Sequence, residues 1–172
     1  MLTELGRGRP FSEALRRAMR LGFTEPDPRD DRSGTDVARK ALILARLLGF
    51  RGNLADVKVE SLVPITMQKM PLKTFLARLE RQDASWAQQQ DAATRRGRVL
   101  RSVLLATARR VDVGLRAVPT SHLLAGLRGT DNQIVFTTRR YREHPLVITG
   151  PGAGPAVTAA GVMNFILQLA PK

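Results

Sequence analysis

Apolar residues recur at helical spacing through the first half of the chain and alternate with polar ones after Val99, so the pattern predicts helices first and strands later. Phe11, Ala14, Leu15 and Ala18 share one face of a helix predicted over 12–21, with Ser12 as N-cap and Gly22 as stop. Ser33 precedes Asp36 by the spacing of a capping box, which predicts a second helix from near Gly34 through Leu44, Leu47 and Leu48 to Gly49. Arg51-Gly52-Asn53 turns the chain into an alternating strand over 57–63, ended by Pro64. A longer helical region follows over 72–96, with a break near Gln82-Asp83 and Gly97 as its end; within it, Trp86 reads as a packing anchor. Strands are predicted over 99–107, 111–118, 132–141 and 146–149, the first two as a hairpin around Arg109-Arg110. The last element is a helix over 155–169, apolar on several sides and expected to be partly uncovered, while residues 1–10 read as a frayed end.

This order predicts one α+β domain over 1–172, with a mixed, largely antiparallel sheet and helices on one face. At 172 residues and 43% hydrophobic, the chain is long enough to bury a core. It has no cysteine, which excludes disulfides, thiolate nucleophiles and cysteine metal sites and makes a cytoplasmic setting the expectation. No apolar run approaches the ~20 residues of a membrane span, and no signal-peptide core stands at the start. His122 and His144 are the only histidines, so no metal is expected and both read as structural or surface residues. The net charge of +13 could attract nucleic acid, or the phosphates of a dinucleotide and an anionic substrate. With 5% aromatics and no stacking pattern among the arginine clusters, a nucleic-acid interface is disfavoured.

The candidate chemistry is concentrated between Thr24 and Lys40, where five acids (Glu25, Asp27, Asp30, Asp31 and Asp36) interrupt a basic chain. Pro26 and Pro28 stiffen this loop and bias Glu25 and Asp27 toward extended backbone. Asp36 and Lys40 stand four apart on the predicted helix, with Leu44, Leu47 and Leu48 expected to bury that face. A lysine held by an aspartate at a buried helix edge can donate a proton to a carbonyl oxygen. By spacing alone, the pair reads first as a solvated ion pair and the loop as a soluble one. Near the C-terminus, Gly150-Pro151-Gly152-Ala153-Gly154 joins a strand to a helix, the context of a phosphate-binding turn. Only 18 residues follow Gly154, too few for a complete dinucleotide-binding unit. Glycines that merely allow close packing explain the turn equally well.

The run from Gly22 to Lys40 resembles the catalytic segment of homoserine dehydrogenase, closest to the version fused behind aspartokinase. Two further stretches agree in order and spacing: Ser121-His122 through Asp131-Asn132-Gln133 to Tyr141, and Gly150–Gly154 with Val157 to Val162. The resemblance implies NAD(P)H-dependent reduction of L-aspartate 4-semialdehyde to L-homoserine. It implies Lys40 as proton donor, Asp36 as its holder, Glu25 and Asp31 as carboxylates for the substrate's ammonium, and NADP or NAD as cofactor near Gly152, Gly154 and Thr158. Asp30 is expected to be structural, paired with Arg29 or Arg39. Phe23 stands where the family commonly has tyrosine. The resemblance further implies a homodimer, and a nucleotide-binding domain or partner chain, not contained in these residues, against which the last helix would pack. A non-catalytic dimerisation or regulatory fragment of the same family, and a basic nucleic-acid binder, are the competing readings. The four residues Glu25, Asp31, Asp36 and Lys40 favour the enzyme, because dimerisation needs none of them.

Overall fold

The computed structural model describes residues 1–129, 131–152 and 154–170, with the side chains of Asp31 and Arg32 outside that description. The chain divides into two compact units, Met1–Ala125 and Gly126–Lys172.

The first unit contains α1 (Leu2–Leu5), α2 (Phe11–Arg20), α3 (Asp30–Ser33), α4 (Thr35–Leu47), α5 (Ile65–Gln68), α6 (Leu72–Ala77) and α7 (Asp83–Thr94). Its sheet has the order β1-β3-β2, from β1 (Lys58–Val59), β2 (Arg98–Ala106) and β3 (Val111–Pro119). β2 and β3 form the expected antiparallel hairpin, in register from Arg98 opposite Pro119 to Ala106 opposite Val111. Its turn is held by Thr107, whose Oγ1 accepts the Arg110 N–H at 2.9 Å. β1 runs parallel to β3 and makes the sheet mixed, so the α+β expectation describes this unit.

Two cores hold it together. One gathers Leu5, Phe11, Leu15, Met67, Leu79 and Trp86 between α1, α2 and the α5–α7 segment. Trp86 anchors it by stacking on Phe11 at 4.7 Å between nearly parallel rings. The other packs Ala38, Ala41, Leu42 and Ala45 of α4 against Val111 and Val113 of β3. These positions recur at three- and four-residue steps, and the alanines let the helix backbone approach the sheet.

Four local expectations are corrected by packing. Residues 1–10 are not frayed, because α1 buries Leu5 and Glu4 pairs with both Arg7 and Arg9. Ser12 does not cap α2: the helix begins one residue earlier, and Asp83, at the start of α7, accepts from the Ser12 N–H at 2.7 Å and hydroxyl at 2.6 Å. The cap is supplied by another helix, a partner no local pattern announces. The strand expected over 57–63 is only β1, because Ser61 hydrogen-bonds the Val63 N–H and carbonyl and turns the chain out of the sheet. The capping box at Ser33 and Asp36 is absent, since Ser33 belongs to α3 and its N–H donates to the Arg29 carbonyl at 2.7 Å. Gly34 links α3 to α4 at φ +80, where a Cβ would lie 2.6 Å from Val59, so both backbone and space require glycine. The break expected near Gln82-Asp83 is a 3-10 turn over Leu79–Gln82, and Gly97, at φ +64, follows α7 as its stop.

The second unit pairs β4 (Asp131–Phe136) with β5 (Leu146–Pro151) in antiparallel register, followed by α8 (Pro155–Leu169). α8 has the predicted bounds and opens with proline at its start. No described residue of this unit is buried, and α8 exposes Val162, Met163, Phe165, Ile166, Leu167 and Leu169. No helix among the described residues is long and apolar enough to cross a membrane.

Candidate active site

The acidic loop leaves α2 through Gly22 and is tied down at its centre. Pro28 is fully buried. Asp27 Oδ1 accepts from the Arg29 backbone N–H at 3.0 Å and from its Nε at 2.9 Å. The Arg29 guanidinium donates through Nη1 to the carbonyls of Met70 and, at 3.3 Å, Gln68, and it lies 5.3 Å from the Phe75 ring centroid. Hydrogen bonding from Arg29 holds the Asp27 carboxyl below its ordinary range, and Asp27 in turn raises the Arg29 guanidinium. The partner of Arg29 is thus Asp27 rather than Asp30, whose charge only adds to the field on it. Glu25 and Phe23 are exposed on the same loop. Asp31 falls within α3, and its side chain lies outside the described residues.

Asp36 and Lys40 meet as expected, with Lys40 Nζ 2.8 Å from Asp36 Oδ2. Their burial differs from expectation: the side chains are 61% and 64% exposed. The reason is the rotation of α4, whose alanine and Leu42 face meets the sheet and leaves Asp36, Lys40, Ile43 and Leu47 on the opposite face. Leu44 is half-buried and Leu48 exposed, while Leu47 reaches 80% exposure, so the predicted apolar cover is absent from this unit's own packing. The first unit therefore presents an oriented lysine–aspartate pair on the helix that follows its acidic loop. An ammonium so held can donate a proton to an oxygen set against it.

Arg29 is the residue of this region whose contacts the sequence pattern does not reveal. Its partner carbonyls lie 39 and 41 residues along the chain. The one local signal is an aspartate two positions before it, the spacing of a side-chain turn.

In the second unit, Gly152 is explained by packing, since a Cβ there would lie 2.0 Å from Asn132 Nδ2. Gly154, at φ +129, precedes α8 with open space where a Cβ would point. Thr158 donates both its N–H, at 3.1 Å, and its hydroxyl, at 3.2 Å, to the Gly154 carbonyl. Of Gly152 and Gly154, only the latter has the open space that close approach by a phosphate needs, and Gly150 earlier in the turn is open as well. His122 Nδ1 accepts from the Leu124 N–H at 3.1 Å. Among the described residues no group of three or more His, Cys, Asp or Glu is arranged to hold a metal ion.

The family model described as homoserine dehydrogenase matches residues 1–167. The chain belongs to the homoserine dehydrogenase family. It is 49% identical over 165 residues to a bifunctional aspartokinase/homoserine dehydrogenase 2, chloroplastic, from Zea mays, covering 94% of this chain and 18% of that protein. It is 41% identical over 167 residues to a homoserine dehydrogenase of Emericella nidulans, covering 92% of this chain and 45% of the relative. A crystal structure of a putative homoserine dehydrogenase from Archaeoglobus fulgidus matches with a TM-score of 0.71 at 25% identity, over 99% of this chain and 47% of that one. This homoserine dehydrogenase family chain therefore spans less than half the length of the relatives it matches.

Proposed function

We propose that the chain is the catalytic and dimerisation domain of a homoserine dehydrogenase, reducing L-aspartate 4-semialdehyde to L-homoserine. The observation that carries this reading is the Lys40–Asp36 pair at 2.8 Å on the exposed face of α4, directly after the acidic loop. Lys40 donates a proton to the aldehyde oxygen as that oxygen gains charge, and Asp36 holds the lysine in place. Glu25 and Asp31 accept hydrogen bonds from the substrate's ammonium, for which acceptor-only carboxylates are suited. A bound NADPH or NADH would supply the hydride that, with the Lys40 proton, completes reduction of the aldehyde to a primary alcohol. Gly152, Gly154 and Thr158 are the residues assigned to the cofactor's phosphates, with Gly154 open where a Cβ would point and Thr158 bonded to its carbonyl.

The exposure of Lys40 and Asp36 supports a site closed by a further segment, because a proton donor and its acceptor must be held together out of bulk water. The same reading assigns the apolar side chains of α8 to a nucleotide-binding domain or chain, makes the protein a homodimer, and places it in the cytoplasm; the name of the Zea mays relative instead specifies the chloroplast.

The test is homoserine-dependent reduction of NADP, with NAD in parallel, by the purified chain alone and mixed with a separately produced nucleotide-binding domain from a relative. Turnover in either sample should fall about 100- to 10,000-fold in Lys40→Ala. Turnover that Lys40→Ala leaves intact would remove the lysine from the chemistry. No turnover in either sample would favour the non-catalytic fragment of the same family.

A further inference from the structure

The guanidinium of Arg29 uses every side of its fork. Nε and Nη2 engage Asp27, and Nη1 donates to the backbone carbonyls of Gln68 and Met70 at the end of α5. Phe75, itself buried, lies at 5.3 Å beneath it. Around this residue the loop is locally ordered: Asp30 N–H donates to the Asp27 carbonyl at 3.1 Å, and Ser33 N–H to that of Arg29. Pro28 is buried beside it. The held core of the loop is therefore Asp27, Pro28 and Arg29, and the two acids assigned to substrate flank it at equal chain distance, Glu25 two residues before Asp27 and Asp31 two residues after Arg29.

We propose that Arg29 is a positioning residue for the substrate: it straps the acidic loop to the α5–α6 connection and so fixes the separation at which Glu25 and Asp31 receive the ammonium. The inference rests on the assignment of those two carboxylates made above. Arginine is needed because its planar fork meets a carboxylate and two carbonyls at once, whereas lysine offers one point charge on a flexible stem. Arg29→Lys keeps the charge and removes the fork, so it separates the two contributions.

The test combines two measurements on the whole 172-residue chain: amide hydrogen exchange over 23–33, and homoserine affinity by NMR titration. Arg29→Lys should speed exchange in that segment and weaken homoserine binding about tenfold, as small misplacements of binding groups do. Leu79→Ala, which destabilises the core shared with Phe75 and Met70 but keeps the Arg29 fork, should leave homoserine affinity unchanged in the folded fraction. Glu25→Gln should weaken binding. The proposal is overturned if Arg29→Lys exchanges like wild type, if its loop loosens without loss of affinity, or if Leu79→Ala loses as much affinity. A wild-type chain that binds no homoserine, or a Glu25→Gln variant that binds it normally, would instead sink the carboxylate assignment. The exchange data would then still report whether the strap holds the loop.

Discussion

The first 125 residues bury two apolar cores, whereas the last unit, Gly126–Lys172, buries none of its described side chains. Phe11 is 4% exposed on α2; Phe165 is 68% exposed on α8. Composition does not explain the contrast, because α8 is more apolar along its length than α2. The element count does. Helices on a three-stranded sheet form layers that cover one another, while two strands and one helix have too few faces to do so. Apolar residues in the first unit stabilise that unit, and those of α8 are available to a surface outside it. Within the first unit, α4 repeats the contrast on a smaller scale, with an alanine face against the sheet and an exposed face carrying Lys40, Ile43 and Leu47.

The largest effect should come from Phe11→Ala, which removes the ring stacked on Trp86 and should cost about 3–5 kcal/mol in urea unfolding. A cost under about 1 kcal/mol would mean that the first unit is not the stable one. Asp83→Ala strips two hydrogen bonds from the start of α2 and should cost about 1–3 kcal/mol, with faster amide exchange in the first turn of that helix. A smaller, pH-dependent effect belongs to Asp27. Its folded-state pKa lies below the ordinary 3.8, so its contribution is present above that value and is lost as pH falls through the lower one. Wild type should therefore lose stability more steeply than Asp27→Asn on acidification below about pH 4, and parallel curves would remove Arg29 as its folded-state partner. The smallest effects should come from the exposed faces. Phe165→Ala and Lys40→Ala should each shift the unfolding free energy of the isolated chain by no more than about 1 kcal/mol, although the second should lower any turnover about 100- to 10,000-fold. A large loss in Phe165→Ala would show that α8 is covered in solution.

Much of the candidate site is legible in the sequence because its signals are local. Asp36 and Lys40 meet through the four-residue step of a helix, and Gly34 and Gly154 mark positive-φ junctions where helices begin. The exposure of the pair is not legible. Leu44, Leu47 and Leu48 carry the right residue types to bury it, yet the alanine stripe meets the sheet instead. Choosing between two apolar stripes on one helix requires knowing what stands opposite each.

The sequence by itself determined the helices α2, α4 and α7, the β2–β3 hairpin, the bounds of α8 and the lysine–aspartate pair. Each follows from side-chain periodicity, a turn or a cap within a few residues. Only the tertiary structure decided that Asp83 caps α2 from 71 residues away, that Arg29 reaches the carbonyls of Gln68 and Met70, and that the face of α4 carrying Asp36 and Lys40 is exposed. Those outcomes depend on which surfaces pack together. A hydrogen bond across tens of residues leaves no period in the chain, because its partners become neighbours only once the cores between them have formed.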